Sequence, residues 1–95
     1  MRLSKEKADF IRENLKKCIA GAEVYLFGSR VDDTEKGGDI DILIIGDRKL
    51  TLNEKIDVKI SFYEKFGEQK IDIVSFKKDE ESSFRELALE KAVEL

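Results

Sequence analysis

The sequence predicts a small α+β domain: a three-stranded mixed sheet flanked by helices, in the order α-β-β-α-β-α. Apolar residues recur every three or four positions near both ends and in the middle of the chain, three short strand-like runs lie between these segments, and glycines fall at the joints. The chain has 95 residues, which is room for one core, so residues 1–95 are read as a single domain.

The first helix is expected from Ser4, a suitable N-cap, because Ala8, Ile11, Leu15, Cys18 and Ile19 form an apolar stripe that Gly21 closes. Glu23 to Phe27 reads as a short strand ended by Gly28-Ser29, and the polar stretch from Arg30 to Gly38 reads as a loop. Asp39 to Ile45 is the most strand-like run. Ile40, Ile42 and Ile44 share one face, and Asp39, Asp41, Leu43 and Ile45 share the other, which predicts a central strand covered on both sides. Gly46-Asp47 ends it.

From Thr51 to Phe66 two periodicities compete. Ile56, Val58, Ile60 and Phe62 alternate like a strand, whereas Leu52, Ile56, Ile60, Tyr63 and Phe66 repeat like a helix. Helix is predicted because Thr51-x-x-Glu54 is a capping-box pattern, the run is long for a strand, and Gly67 stands where a C-terminal cap belongs. Lys70 to Phe76 is the third strand, with Ile71 and Ile73 on one face and Asp72, Val74 and Phe76 on the other. After a solvated run from Lys77 to Glu81, a last helix is expected from Ser82 or Ser83, burying Phe84, Leu87, Ala88, Ala92 and Leu95.

Composition narrows the chemistry. Apolar and charged residues each make up 41%, and 18 Lys+Arg against 21 Asp+Glu give a net charge of −3, so neither a disordered chain nor an evidently basic nucleic-acid module is expected. Direct binding of nucleic acid is therefore not predicted. No apolar run approaches the roughly 18 to 20 residues of a membrane span, and Met1 to Ser4 leads into a charged segment unlike a secretory signal, so the expected setting is the cytoplasm. A single cysteine, Cys18, excludes an internal disulfide; at the end of a helical stripe it reads as a core or boundary thiol. Absence of histidine excludes a His general base, a Ser-His-Asp triad and an ordinary zinc cluster. Catalysis would have to run on carboxylates, hydroxyls, amines and guanidinium groups.

Asp39-Ile40-Asp41 places two carboxylates on one face of a strand, roughly 6.6 Å apart along it. Hard oxygen donors so close repel unless a cation lies between them, and they suit Mg²⁺ with a nucleotide phosphate. In a chain with nine Asp such a pair has little weight by itself. Its place at the start of an isoleucine-rich central strand gives it more, because an unpaired buried carboxylate is costly. Asp72 is likewise the one charged residue in the apolar run Ile71-Asp72-Ile73-Val74. Were the two strands neighbours, three carboxylates would converge on one sheet face. Gly28-Ser29 cuts off its strand abruptly, as in a turn whose backbone N–H groups and hydroxyl approach a phosphate; neither a P-loop nor a dinucleotide fingerprint occurs.

Together, Leu26-Phe27-Gly28-Ser29-Arg30, the nine residues from Arg30 to Gly38, Asp39-Ile40-Asp41-Ile42-Leu43 and Ile71-Asp72-Ile73-Val74 resemble the minimal nucleotidyltransferases (MNT domains) of the DNA polymerase beta superfamily. The resemblance covers roughly residues 20 to 76 and points to the antitoxin type that pairs with HEPN-domain proteins. It implies that Gly28 and Ser29 hold the terminal phosphates of a nucleoside triphosphate, with Arg30 placed for a further phosphate contact. It implies also that Asp39, Asp41 and Asp72 bind two Mg²⁺ ions, and that Asp72 helps activate the attacking hydroxyl. The implied reaction is transfer of AMP from ATP to a hydroxyl, a tyrosine of a HEPN-type toxin. The chain departs from many relatives at Val31-Asp32-Asp33, which adds negative charge beside an anionic substrate, and at Gly38, where serine is common. Those departures favour the rival reading, a non-catalytic antitoxin that neutralises its partner by forming a complex.

Overall fold

The computed structural model describes residues 3–28 and 39–95. Its elements are α1 (Lys5–Cys18), β1 (Glu23–Phe27), β2 (Ile40–Gly46), α2 (Leu52–Phe66), β3 (Ile71–Lys77), α3 (Ser83–Leu89) and β4 (Val93–Glu94). The expected loop from Arg30 to Gly38, together with Ser29, lies outside the described residues.

The strands form one mixed sheet in the order β3-β2-β1-β4. β1 runs antiparallel to β2, and β2 runs parallel to β3. Parallel neighbours need a crossover, and α2 supplies it. Helices α1 and α2 cover one face of the sheet, where Ile11, Leu15, Val58 and Phe62 share a core with Ile40, Ile42, Ile44 and Ile71. On the other face Leu43, Ile45 and Phe76 form a smaller core with the half-buried Tyr25, Phe27, Ala88 and Leu89. β2 is thus buried on both sides, as its isoleucine-rich pattern predicts. No described helix is long and apolar enough to cross a membrane.

Helix ends follow the sequence closely. Ser4 Oγ accepts from the Lys7 N–H at 3.3 Å, and the Thr51 hydroxyl accepts from the Glu54 N–H at 3.1 Å while the Glu54 carboxylate accepts from the Thr51 N–H at 2.9 Å. Glu54 also receives both guanidinium nitrogens of Arg48, at 2.7 and 2.8 Å, and Arg48 donates to the Cys18 carbonyl at 2.8 Å. One carboxylate therefore caps α2 and, through Arg48, ties its start to the end of α1. A bidentate guanidinium–carboxylate pair is among the stronger charge-assisted contacts.

Two expectations need correction. In α2 only the later members of the apolar repeat, Tyr63 and Phe66, pack on the core: Leu52, Ile56 and Ile60 are exposed, Leu52 at 72%, and the buried residues are Val58 and Phe62. The reason is an aromatic cluster in which Phe62 and Phe66 pack on Phe10 of α1, at centroid distances of 6.0 and 5.4 Å, fixing the helix's rotation. At the C-terminus, the expected long final helix ends at Leu89, and Val93–Glu94 adds a fourth strand against β1, with the Leu95 N–H donating to the Val24 carbonyl at 2.9 Å. The outer edge of β1 offers unpaired backbone groups that an extended terminal segment satisfies and a helix would not. Phe84 and Leu87 are consequently 51% and 68% exposed, and Ala92 and Leu95 are half-buried outside any helix. The run from Lys77 to Glu81 is exposed except at the half-buried Glu80, as expected, and Arg85 holds its backbone by donating to the carbonyls of Lys77, Lys78 and Glu80 at 2.8 to 3.2 Å.

The Arg48 guanidinium, and next the Thr51 backbone, hold the Glu54 carboxyl at about 2 against an ordinary 4.5. Because the folded-state value is depressed, the stabilisation is complete above about 4.5 and is lost as pH falls toward 2. Glu54→Gln should therefore melt below the parent at neutral pH, and the gap should narrow through that window. A gap that stayed constant with pH would assign the loss to packing alone.

Candidate active site

The parallel register of β2 and β3 sets Asp41 directly beside Asp72, as Leu43 lies beside Val74 and Ile45 beside Phe76. Asp39 immediately precedes β2, and the Ile40 N–H donates to the Lys70 carbonyl at 3.0 Å, so Asp39 and Lys70 stand next to each other one step before the Asp pair. Alternation along the strands puts Asp39, Asp41 and Asp72 on the face that α3 shares, away from α1 and α2. β2 and β3 are thus neighbours, and the three aspartates lie toward one end of the sheet on one face.

Their electrostatics reflect the crowding. Partial burial raises the Asp41 carboxyl above its ordinary value, and the negative charges of Asp72 and Asp39 raise it further, against a smaller opposing effect of Lys70. Lys70 Nζ lies 3.7 Å from Asp39 Oδ2, with both side chains substantially exposed. Among the described residues, no three or more Asp, Glu, His or Cys side chains gather closely enough to hold a metal ion, and Asp39 leans to Lys70. The donor chemistry nevertheless fits a hard divalent cation: every candidate ligand is a carboxylate, two are in cross-strand register, and the negative charge around Asp41 is only partly offset by Lys70.

β1 brings the glycine turn to the same place. Phe27 is the cross-strand partner of Asp41, and Gly28 follows it at φ +77°, in the left-handed region. A Cβ at Gly28 would collide with Asp41 Oδ2. Glycine is thus required here both for the turn and for the close approach of backbone to carboxylate. Ser29 and Arg30, the other residues expected at this turn, lie outside the described residues.

Some participants were not singled out from sequence. Lys70 shares the alternation of Asp72, two positions on, and that spacing was the available signal. Phe84 and Leu87 of α3 stand over the Phe27 end of β1, a place set by tertiary packing: the Phe27 and Phe84 rings meet edge to face at 5.8 Å. Cys18 lies elsewhere, half-buried against the α1/α2 core, and burial first, then the nearby Glu54 carboxylate, raises its thiol, which suits an unreactive boundary residue.

The family described as polymerase beta, nucleotidyltransferase matches residues 9–95. Among solved structures, a mutant of the toxin–antitoxin pair MntA–HpeT is similar at a TM-score of 0.68 and 20% identity, over 98% of this chain and 72% of that chain. A tri-AMPylated Shewanella oneidensis HEPN toxin in complex with an MNT antitoxin is similar at a TM-score of 0.62 and 16% identity, over 97% of this chain and 71% of that chain. A further structure from Shewanella oneidensis matches at 0.63 and 13% identity, over 98% and 71%. No curated protein matches the chain.

Gly21 and Gly28 have nearly the same φ, +78° and +77°, but a Cβ at Gly21 would meet nothing within 4 Å. Alanine at either position should cost about 1 to 2 kcal/mol of stability through the left-handed backbone. Only Gly28→Ala should also turn the Asp41 carboxylate, read as a moved side-chain carboxyl ¹³C resonance. An unmoved Asp41 signal would show that turn and carboxylate are not in contact.

Proposed function

The chain belongs to the polymerase beta nucleotidyltransferase family, and from that membership we propose that it transfers AMP from ATP to a hydroxyl, a tyrosine of a HEPN-type toxin partner. The observation that carries this reading is the Asp41–Asp72 register with Gly28 packed against Asp41, which joins a phosphate-type turn to paired carboxylates at one sheet end. The similarity to a complex whose HEPN toxin is AMPylated supports the choice of acceptor.

In this reading the turn at Gly28 and Ser29 receives the triphosphate through backbone N–H groups and the serine hydroxyl, with Arg30 as a further phosphate contact. Asp39, Asp41 and Asp72 would hold two Mg²⁺ ions. When bound, such ions neutralise charge on the phosphates and favour ionisation of the acceptor hydroxyl. The acceptor oxygen attacks the α-phosphorus in line, forming the new P–O bond as the bond to the β-phosphate breaks and pyrophosphate departs. The hydroxyl proton passes to Asp72, whose place on the outer strand β3 leaves it open to an incoming side chain. The cytoplasm, which supplies ATP and Mg²⁺, is the compartment implied.

A second reading keeps the complex with the partner but drops the chemistry. Val31-Asp32-Asp33 favours it, because two acids next to the phosphate turn oppose a triphosphate. The two readings separate on Asp72→Asn, tested with ATP, Mg²⁺ and the HEPN partner. Transfer, followed as AMP gained by the partner in intact-mass spectra, should fall by a factor of about 100 or more for loss of a general base, while ATP affinity changes little and the melting temperature holds. Undiminished transfer would remove Asp72 from the mechanism, and no transfer by the parent chain would leave the non-catalytic reading.

A further inference from the structure

Helix α2 carries an apolar surface that its own domain does not use. Ile56 and Ile60 are 42% and 48% exposed, although the same helix buries Val58 and Phe62. Glu54, Val58 and Ser61 border a cleft against Asn14, Lys17 and Cys18 of α1, and Phe62 and Phe66 meet Phe10. At about 100° per residue those contacts take up one side of the helix. Asn53, Ile56, Ile60 and Tyr63 share the other side, spaced alternately by three and four residues, which is the seam of a coiled coil. The first three are exposed and Tyr63 is half-buried.

Charges on the two flanks of this seam differ. With Asn53 and Ile60 at heptad position a and Ile56 and Tyr63 at d, Asp57 and Glu64 fall at e and Lys59 falls at g. In parallel helices a g residue faces the e residue five positions later on the other chain, so Lys59 faces Glu64 of a second copy, and the two-fold axis forms that pair twice. Antiparallel helices would instead set Lys59 against Lys59. An asparagine at position a, as Asn53 is, fixes register in such pairs.

We propose that two copies of this chain associate through α2, parallel and side by side, with Ile56 and Ile60 in the seam and Lys59 paired with Glu64 across it. A second copy is the occupant because one helix supplies both the apolar seam and the complementary charges. The inference goes beyond the nucleotidyltransferase reading and does not depend on it. α2 covers the sheet face opposite Asp39, Asp41 and Asp72, so pairing here keeps the second copy off the acidic end. A 15-residue helix is about 22 Å long and 10 Å across, short of the roughly 800 Å² per partner of a standard interface. The dimer is therefore weak and dependent on concentration.

Sedimentation equilibrium of the full chain over a wide concentration range, at low and high salt, tests this. The parent should pass from monomer to dimer as concentration rises. Ile56→Gln combined with Ile60→Gln should stay monomeric and, both positions being exposed, keep the parent's melting temperature at low concentration. Lys59→Glu and Glu64→Lys, taken singly, should each weaken the dimer about tenfold at low salt, because each turns two attractive pairs into two repulsive ones. High salt should shrink that loss. Combined in one chain, the two reversals should restore the dimer to within about threefold of the parent. A parent that stays monomeric throughout overturns the inference, and if the isoleucine substitutions then abolish binding of the HEPN partner, the face belongs to that partner. A dimer indifferent to the isoleucine substitutions lies on another surface, and one indifferent to the single charge reversals is not the parallel pair; either result overturns the inference equally.

Discussion

Parallel pairing of β2 with β3 places Asp41 against Asp72, and with Asp39 two residues earlier it concentrates three negative charges at one end of a sheet that is largely apolar on both faces. Burial, and then the negative charges of Asp72 and Asp39, raise the proton affinity of Asp41. Nothing in the packing requires such an arrangement; a threonine or valine would fit the strand pattern at lower cost. The crowding is accounted for if a divalent cation and a phosphate complete the site. Lys70, 3.7 Å from Asp39, offsets only part of the charge, from an exposed position.

The division of labour between the two sheet faces follows from the same pairing. Because β2 and β3 are parallel, α2 must cross between them, and with α1 it fills one face with Ile11, Leu15, Val58 and Phe62. That side carries most of the burial and holds the strands in register. The short α3, anchored through Arg85 to three carbonyls, packs on the other face, with Phe84 against Phe27, the cross-strand partner of Asp41. Stability and chemistry are thus placed on opposite faces of the same strand.

Much of this was legible in the sequence because the signals were local. Ser4, the Thr51/Glu54 capping box and Gly67 mark helix ends through contacts within one turn, and the alternation in Ile40–Ile45 and Ile71–Phe76 assigns faces residue by residue. What was not legible depended on tertiary context. The Leu52, Ile56, Ile60, Tyr63, Phe66 repeat is a genuine helical pattern, but Phe10 captures Phe62 and Phe66, and the early members Leu52, Ile56 and Ile60 are left exposed. β4 is two residues long and exists because β1 has a free edge, a fact that no pattern in Val93–Glu94 announces. At the site, the three aspartates and Gly28 could be named beforehand, whereas Lys70 beside Asp39 and the α3 wall beside Phe27 needed the strand order and the helix placement.

Melting of the parent chain over a Mg²⁺ titration, beside a chain with Asp39, Asp41 and Asp72 all replaced by Asn, measures the central constraint most directly. The account predicts that without Mg²⁺ the substituted chain melts at or above the parent at neutral pH, since Asp41's raised proton affinity makes its ionisation unfavourable to the fold. Added Mg²⁺ should then raise the melting temperature of the parent and leave the substituted chain unmoved. A parent whose melting temperature ignores Mg²⁺, or a substituted chain that responds to it equally, would contradict the claim that these carboxylates form a cation site.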